Sequence, residues 1–200
     1  MAVEIETKFV LTSFATVREA LTRTGGRRLS RLFEENLVLD TGDGALRRQG
    51  MLLRLRRDDQ GRVTLKLPGE SCGGSGLKIR QEFETEVGDL DVLETIFGHL
   101  GFGPALRYEK IRETWALGNV HVCLDRLPFG RYLEIEGPAA SIPWAAALLG
   151  LSMETALTAT YHDLFRAHLA ENGLPAADSF VFDPPLRREL LASLADALDR

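Results

Sequence analysis

Apolar and charged residues alternate from the start of the chain. Val3-Glu4-Ile5-Glu6-Thr7-Lys8-Phe9 has the period of a strand, in which successive side chains point to opposite faces, so Glu4, Glu6 and Lys8 share one surface. The pattern recurs as Arg54 and Arg56, as Lys78, Arg80, Glu82 and Glu84, as Lys110 and Arg112, and as Glu134 and Glu136. With the turn-forming residues between them, these runs predict strands at about 3–11, 37–40, 51–57, 63–67, 77–87, 106–117, 120–127 and 132–136. A helix is expected after Thr12 or Ser13 as cap, through Phe14, Val17 and Leu21 to Gly25-Gly26. Another is expected at 90–100, where Leu93, Ile96, Phe97 and Leu100 form a core-facing stripe. After Gly137-Pro138 the pattern turns helical at 141–149, 152–172 and 184–199. Leu190, Leu191, Leu194 and Leu198 make the last helix amphipathic, so it docks on the domain or on a partner chain, the latter giving a homodimer. The expected division is a sheet domain at 1–172, then a Pro-flanked linker and amphipathic helix at 173–200.

The fold class predicted is α+β. About eight mostly adjacent strands favour an antiparallel sheet, and a sheet of that size can close into a barrel wide enough for side chains or a small ligand, with helices around it. Ordinary half-buried strands turn their charges to water. That explains any one strand here, but a solvated face is usually mixed with Ser, Thr, Asn and Gln, and runs such as Lys78-x-Arg80-x-Glu82-x-Glu84 are not. The alternative directs the charges into a wet lumen. The lumen would hold the cations Lys8, Arg54, Arg56, Lys66, Lys78, Arg80, Lys110 and Arg112, facing Glu4, Glu6, Glu82, Glu84, Asp125, Glu134 and Glu136. Burying ions costs several kcal/mol each unless they are paired, and apolar replacements are often as stable, so stability alone does not account for them. A polyanion does: phosphate oxygens suit arginine forks and lysine point charges, and the surplus carboxylates suit hard divalent metals.

Composition narrows the function classes. The 200 residues are 44% hydrophobic, enough for a sizeable core, and the net charge of −5 conceals 24 Lys and Arg beside 29 Asp and Glu. The arginine-rich stretch 27–66 lacks the interleaved aromatics of a base-stacking surface, which argues against nucleic acid and for a phosphorylated small molecule. The longest apolar stretch, near 144–151, is too short to span a bilayer, and no basic-then-apolar leader is seen, so no membrane and a cytoplasmic location are expected. Cys72 and Cys123 match no zinc or redox spacing.

The ordered set of motifs resembles a known family. Glu4-Ile5-Glu6-Thr7-Lys8 is similar to the N-terminal ExExK signature of the CYTH superfamily, the triphosphate tunnel metalloenzymes, which includes class IV adenylyl cyclases, thiamine triphosphatases and inorganic triphosphatases. Leu53-Arg54-Leu55-Arg56 resembles its paired-arginine strand, Thr64-Leu65-Lys66 its following lysine, Arg80-Gln81-Glu82-Phe83-Glu84 its RxExE strand, and Lys110-Ile111-Arg112 its KxR strand. Asp125 and Glu134-Ile135-Glu136 resemble its closing acidic strands. The resemblance implies an eight-stranded antiparallel triphosphate tunnel, Mg²⁺ or Mn²⁺, and a triphosphate substrate. It implies that Lys8, Arg54, Arg56, Lys66, Arg80, Lys110 and Arg112, with Lys78 beside them, hold the phosphate chain. Glu4, Glu6, Glu82, Glu84, Glu134 and Glu136 would ligate metal, Asp125 doing either job, and Glu4, Glu6, Lys8, Lys66 and Arg80 would carry catalysis. Hydrolysis by a metal-activated water at the terminal phosphorus is the leading expectation. Cyclisation of ATP to cyclic AMP and pyrophosphate is the alternative, and a non-catalytic polyphosphate- or nucleotide-binding module is the third.

Other features carry less. Gly69 to Gly76 lacks the lysine of a phosphate-binding Walker loop and reads as a mobile hairpin connection. His162 and His168 lie six apart on one expected helix, which does not align them as ligands. Tyr161, Leu164 and Phe165 read as core residues that could touch the tunnel rim. Trp115 and Trp144 are the aromatics available to stack on a thiazolium. Arg27, Arg28 and Arg31, and Arg47, Arg48 and Arg57, are either solvated or part of a positive entrance.

Overall fold

A computed structural model describes residues 2–69 and 76–198. Most of the glycine-rich loop at 68–76, with Cys72, lies outside them, as does the Leu198 side chain. The strands are β1 (Ala2–Leu11), β2 (Arg27–Thr41), β3 (Leu52–Arg57), β4 (Gly61–Lys66), β5 (Lys78–Glu86), β6 (Phe102–Leu117), β7 (Val120–Leu127) and β8 (Gly130–Glu136). They form a closed antiparallel barrel in the order β1-β5-β4-β3-β2-β6-β7-β8, and β8 returns to pair with β1. Among the described residues six helices flank it: α1 (Ala15–Arg23), α2 (Ala45–Arg48), α3 (Leu90–His99), α4 (Ile142–Leu148), α5 (Tyr161–Glu171) and α6 (Pro184–Leu198). None of the described helices is long and apolar enough to cross a membrane.

The apolar half of each alternation faces outward, against helices. Phe9, Val122, Leu124, Leu133 and Ile135 on the barrel wall pack under Val17 and Leu21 of α1 and Ile142, Ala145 and Ala146 of α4. Leu37, Leu53 and Leu55, with Val63 and Leu65, receive Leu90, Leu93 and Phe97 of α3. Ile111, Phe33 and Phe182 receive Leu190 and Leu194 of α6. The amphipathic last helix therefore docks on its own barrel.

Helix α5 behaves differently. Its Tyr161, Phe165 and Leu169 pack with Val38, Tyr108, Leu127 and Tyr132, which occupy the inward positions of their strands, so α5 closes one end of the barrel. The helix begins in a capping box, Thr160 Oγ1 accepting from the Asp163 amide while the Asp163 carboxylate accepts from the Thr160 amide.

Two elements depart in their bounds from the sequence expectation, and the short α2 (Ala45–Arg48) lies where no helix is expected. The helix expected over 152–172 forms only from Tyr161. Ser152 caps a single 3₁₀ turn at Met153–Thr155, and Leu157 then exchanges both backbone hydrogen bonds with Lys8, at 3.1 and 2.8 Å. Lys8 lies beyond the reach of β5, which pairs only with Ala2 to Glu6, so Leu157 satisfies an edge that propensity cannot reveal. Strand β2 starts ten residues earlier than 37–40 predicts, pairing with β6 along its whole length. Its outward Glu35 is paired with Arg187 of α6, so this stretch lacks apolar alternation. Phe180 similarly bonds to the backbone of Arg107 and Glu109, at 3.0 Å each, where β6 runs past the end of β7.

Leu133 has no exposed surface and lies between β8 and the α1/α4 layer. Leu133→Ala is expected to cost about 2–5 kcal/mol of stability, read as a lowered urea midpoint with the sheet signal retained.

Candidate active site

Every charged position of the alternating pattern turns inward. On β1, Glu6 lies opposite Glu136 of β8 on one side and Lys78 of β5 on the other, while Lys8 faces Glu134 and Glu4 faces Arg80. Strands β3, β4 and β6 add Arg54 and Arg56, Lys66, and Lys110 and Arg112. These groups, with Glu82 and Glu84, line one cavity of about 1100 Å³. Asp125 lies in its floor, fully buried, accepting from Arg112 Nε at 2.7 Å, Lys110 Nζ at 3.2 Å and Tyr161 Oη at 2.7 Å.

The ions are mostly paired with one another. Lys8 Nζ donates to Glu6 at 2.7 Å and lies 3.2 Å from Glu134. Lys66 Nζ bridges Glu4 at 2.6 Å and Glu82 at 2.9 Å. Arg112 binds Glu134 as well as Asp125. Arg54 donates to Tyr108 Oη at 3.1 Å and Thr64 Oγ1 at 3.2 Å, with Glu84 at 3.6 Å. Burial would lower the Lys8 ammonium, yet Glu134 and Glu6 outweigh it and hold its pKa above the usual lysine value.

Two groups stand outside this balance. Arg80 has no carboxylate within ion-pair distance among the described residues and touches only the Gly50 carbonyl, at 3.3 Å. Glu136 has no cation within ion-pair distance among the described residues: burial, and then the neighbouring Glu4 charge, push its carboxyl up to about 7 against the weaker pull of Arg112 and Lys66. Lys78, held among the described residues only by Glu6 at 3.5 Å, is shifted down by burial and by the nearby Lys8. Among the described residues three buried polar atoms of the lumen, Glu34 Oε2, Asn36 Nδ2 and Arg54 Nε, also lack a hydrogen-bond partner. A lumen with a spare cation, a spare anion and unmet donors is built for something besides itself.

The structure adds residues that the sequence pattern did not single out. Glu34 is 2% exposed and sits 3.5 Å from Lys110 and 3.6 Å from Arg56; burial would raise its carboxyl, but Lys110, Arg56 and Arg112 hold it well below the usual range. Asn36, Thr64 and Tyr108 complete the same wall. The available signal was the phase of Glu34-x-Asn36 and Thr64-x-Lys66, in step with the charged strands beside them. Tyr161 joins core and site at once: its ring lies 5.4 Å from Lys8 Nζ and 5.5 Å from Lys110 Nζ. Trp115 packs outside the barrel and Trp144 is half exposed on α4, so neither is placed to stack on a ligand in the lumen. Arg47, Arg48 and Arg57 pair at the surface with Asp178, Asp43 and Asp91, away from the cavity.

The acidic side chains offer only oxygen donors, the set preferred by Mg²⁺ and Mn²⁺. Glu4, Glu6, Glu134 and Glu136 lie on adjacent strands, and the unpaired Glu136 is where added positive charge relieves the most repulsion. Among the described residues no three ligating side chains gather around one point, because lysines and Arg112 draw Glu4, Glu6 and Glu134 onto themselves. The donor set fits such a metal. Its present pairing shows what the ion would have to displace.

The comparisons with known proteins agree with this geometry. The CYTH domain family model matches residues 2–161. A Methanocaldococcus jannaschii protein named "Putative adenylate cyclase" is 26% identical over 141 residues, covering 70% of this chain and 79% of that protein. A structure from Vibrio parahaemolyticus under the same designation superposes with a TM-score of 0.72 at 19% identity, covering 81% of this chain and 97% of the other. A Hippeastrum adenylyl cyclase homologue, whose structure is described as revealing a dominant triphosphatase activity, gives a TM-score of 0.54 at 20% identity over 88% of this chain and 90% of its own.

His162, on the α5 plug, has a buried Nε2 with no hydrogen-bond partner among the described residues and stacks edgewise on Tyr108 at 5.5 Å; burial and then Arg166 push its imidazole from 6.5 to about 4. The unfolded chain therefore binds the extra proton between pH 6.5 and 4, so the stability His162 supplies is complete above 6.5 and is lost as pH falls toward 4. His162→Phe is expected to flatten that limb of a urea-midpoint-against-pH profile; an unchanged limb would show that another group causes it.

Proposed function

The chain belongs to the CYTH domain family, and on that premise we propose that it is a divalent-metal-dependent triphosphatase acting on inorganic triphosphate or on organic and nucleoside triphosphates. The observation that carries this reading is the convergence of Lys8, Arg54, Arg56, Lys66, Arg80, Lys110 and Arg112 on one cavity closed by α5 at one end. No shorter anion needs so many cations from so many strands. Arg80, which has no acidic partner among the described residues, and Arg54, whose Nε has no acceptor among them, are the groups best placed to donate to phosphate oxygens.

In this reading the cations hold the phosphate chain extended and stabilise charge on the equatorial and leaving oxygens. A water attacks the terminal phosphorus, the bond to the bridging oxygen breaks, and orthophosphate leaves together with the shortened diphosphate. Mg²⁺ or Mn²⁺ held by Glu4, Glu6, Glu134 and Glu136, with Glu82, Glu84 and Asp125 as further candidates, would supply Lewis acidity and charge neutralisation. Glu4 and Glu6 thus serve the ion, while Lys8 and Lys66, which now occupy those carboxylates, are released to the substrate.

Cyclisation of ATP is the second reading. It is favoured by Leu52 and the ring of Tyr108, inward-facing residues that give the cavity an apolar stretch able to take a base, and by the adenylate cyclase designation of the relatives. The two chemistries differ in product. Incubation with tripolyphosphate, ATP and thiamine triphosphate, under Mg²⁺ and under Mn²⁺, is expected to release orthophosphate; cyclic AMP with pyrophosphate would select the cyclase. Binding of these compounds without turnover under either metal would overturn both.

Glu6→Gln is expected to lower kcat by roughly 100-fold or more with the circular dichroism spectrum intact, as loss of a group that stabilises transition-state charge does. Arg54→Ala is expected to act on capture, raising KM about tenfold or more, in line with the ~1.5–3 kcal/mol of a hydrogen bond to a charged group.

A further inference from the structure

The outer wall of the barrel carries a second arginine cluster that the lumen does not use. A cavity of about 160 Å³, floored by Ile111 and Leu124, is walled by Arg18, Arg31, Arg126 and Arg131 around the carboxylate of Glu113. Each arginine comes from a different element: α1, β2, β7 and β8. Strand alternation forces them together. Arg31 is the register partner of Glu113, and Arg126 is the register partner of Arg131, two like charges set directly opposite each other. Such a pair is destabilising unless something neutralises it.

Glu113 cannot. It is 2% exposed, and its Oε1 accepts from Trp115 Nε1 at 2.7 Å and from Arg18 Nε at 3.1 Å, while Oε2 accepts from Arg18 Nη2 at 2.8 Å and lies 4.0 Å from Arg31. Among the described residues Arg126 and Arg131 have no acidic partner. Four arginines against one carboxylate leave three positive charges in excess over an apolar floor. The cluster is also preorganised, since Arg18 is fixed by its fork onto Glu113 and by the Phe14 ring at 5.4 Å.

We propose that this cavity is a binding site for a small phosphate-type oxyanion, orthophosphate or pyrophosphate. Guanidinium forks match tetrahedral oxyanions through paired N–H donors, and a multiply charged anion answers an excess that one chloride does not. The site is separate from the tunnel. The inward neighbours on the same strands, Lys110, Arg112 and Asp125, belong to the lumen, and the outward cluster shares none of them. Occupancy therefore does not depend on turnover, on metal, or on which triphosphate the tunnel takes.

Trp115 provides a local reporter, because its indole N–H is bonded to Glu113 on the outer face and the chain has only two tryptophans. The full chain is labelled with ¹⁵N and titrated with orthophosphate and with pyrophosphate in EDTA, with chloride at matched ionic strength as control; Trp144→Phe assigns the indole signals. A saturable shift of the Trp115 indole with either phosphate anion but not chloride, abolished in Arg126→Gln/Arg131→Gln, is the expected result. Arg131→Lys, which retains the charge and leaves the wall intact, is expected to keep the shift with weaker affinity. An indole signal that does not move, moves equally with chloride, or moves unchanged in the double variant would overturn the proposal.

Discussion

The structure depends on placing ions inside a closed sheet and keeping them paired there. A strand exposes alternate residues on alternate faces, so a barrel whose inward positions are charged must be apolar outside, the reverse of a solvated sheet. That inversion demands cover. Helices α1, α3, α4 and α6 supply it, and α5 supplies an apolar stopper for one end of an otherwise wet interior. Removing one partner of a buried pair leaves an uncompensated charge, which is far more costly than the pair is favourable. The lumen is therefore tolerant of exchange between partners and intolerant of deletion.

This balance frames the chemistry. Lys66 between Glu4 and Glu82, and Lys8 between Glu6 and Glu134, are ions held ready by ions of opposite sign. An arriving polyanion and a metal cation would each find a partner of the right sign already in place, so binding becomes a rearrangement of pairs. Arg80 and Glu136 lie outside the exchange, a cation and a carboxylate with no ion-pair partner among the described residues.

Most of the lumen was legible in the sequence because charge on every second residue is a rare pattern with a direct geometric reading. Glu4, Arg54, Arg80 and Glu134 announce their face by their phase alone. Glu34 did not, because β2 gains its length from pairing with β6 and its outward Glu35 meets Arg187 beside the apolar layer that receives Phe33, which breaks the alternation that would have marked it. The start of α5 was likewise hidden: 152–160 has helical composition, but Leu157 is taken by the open backbone of Lys8. The arginines of the outer cluster come from four elements, and only their register brings them together. Patterns within one strand can be read from the sequence, whereas neighbourhoods between strands cannot.

The seam of the barrel has a consequence for assembly. Residues Glu6 to Leu11 of β1 find their partners in Arg131 to Glu136 of β8, so the cylinder cannot shut until almost the whole sheet has been made. Contacts of such long sequence separation are slow to form. On the ribosome the first strand would wait, its glutamates and lysine still hydrated, until the eighth strand emerges to claim them, and the binding chamber would come into being in a single late event.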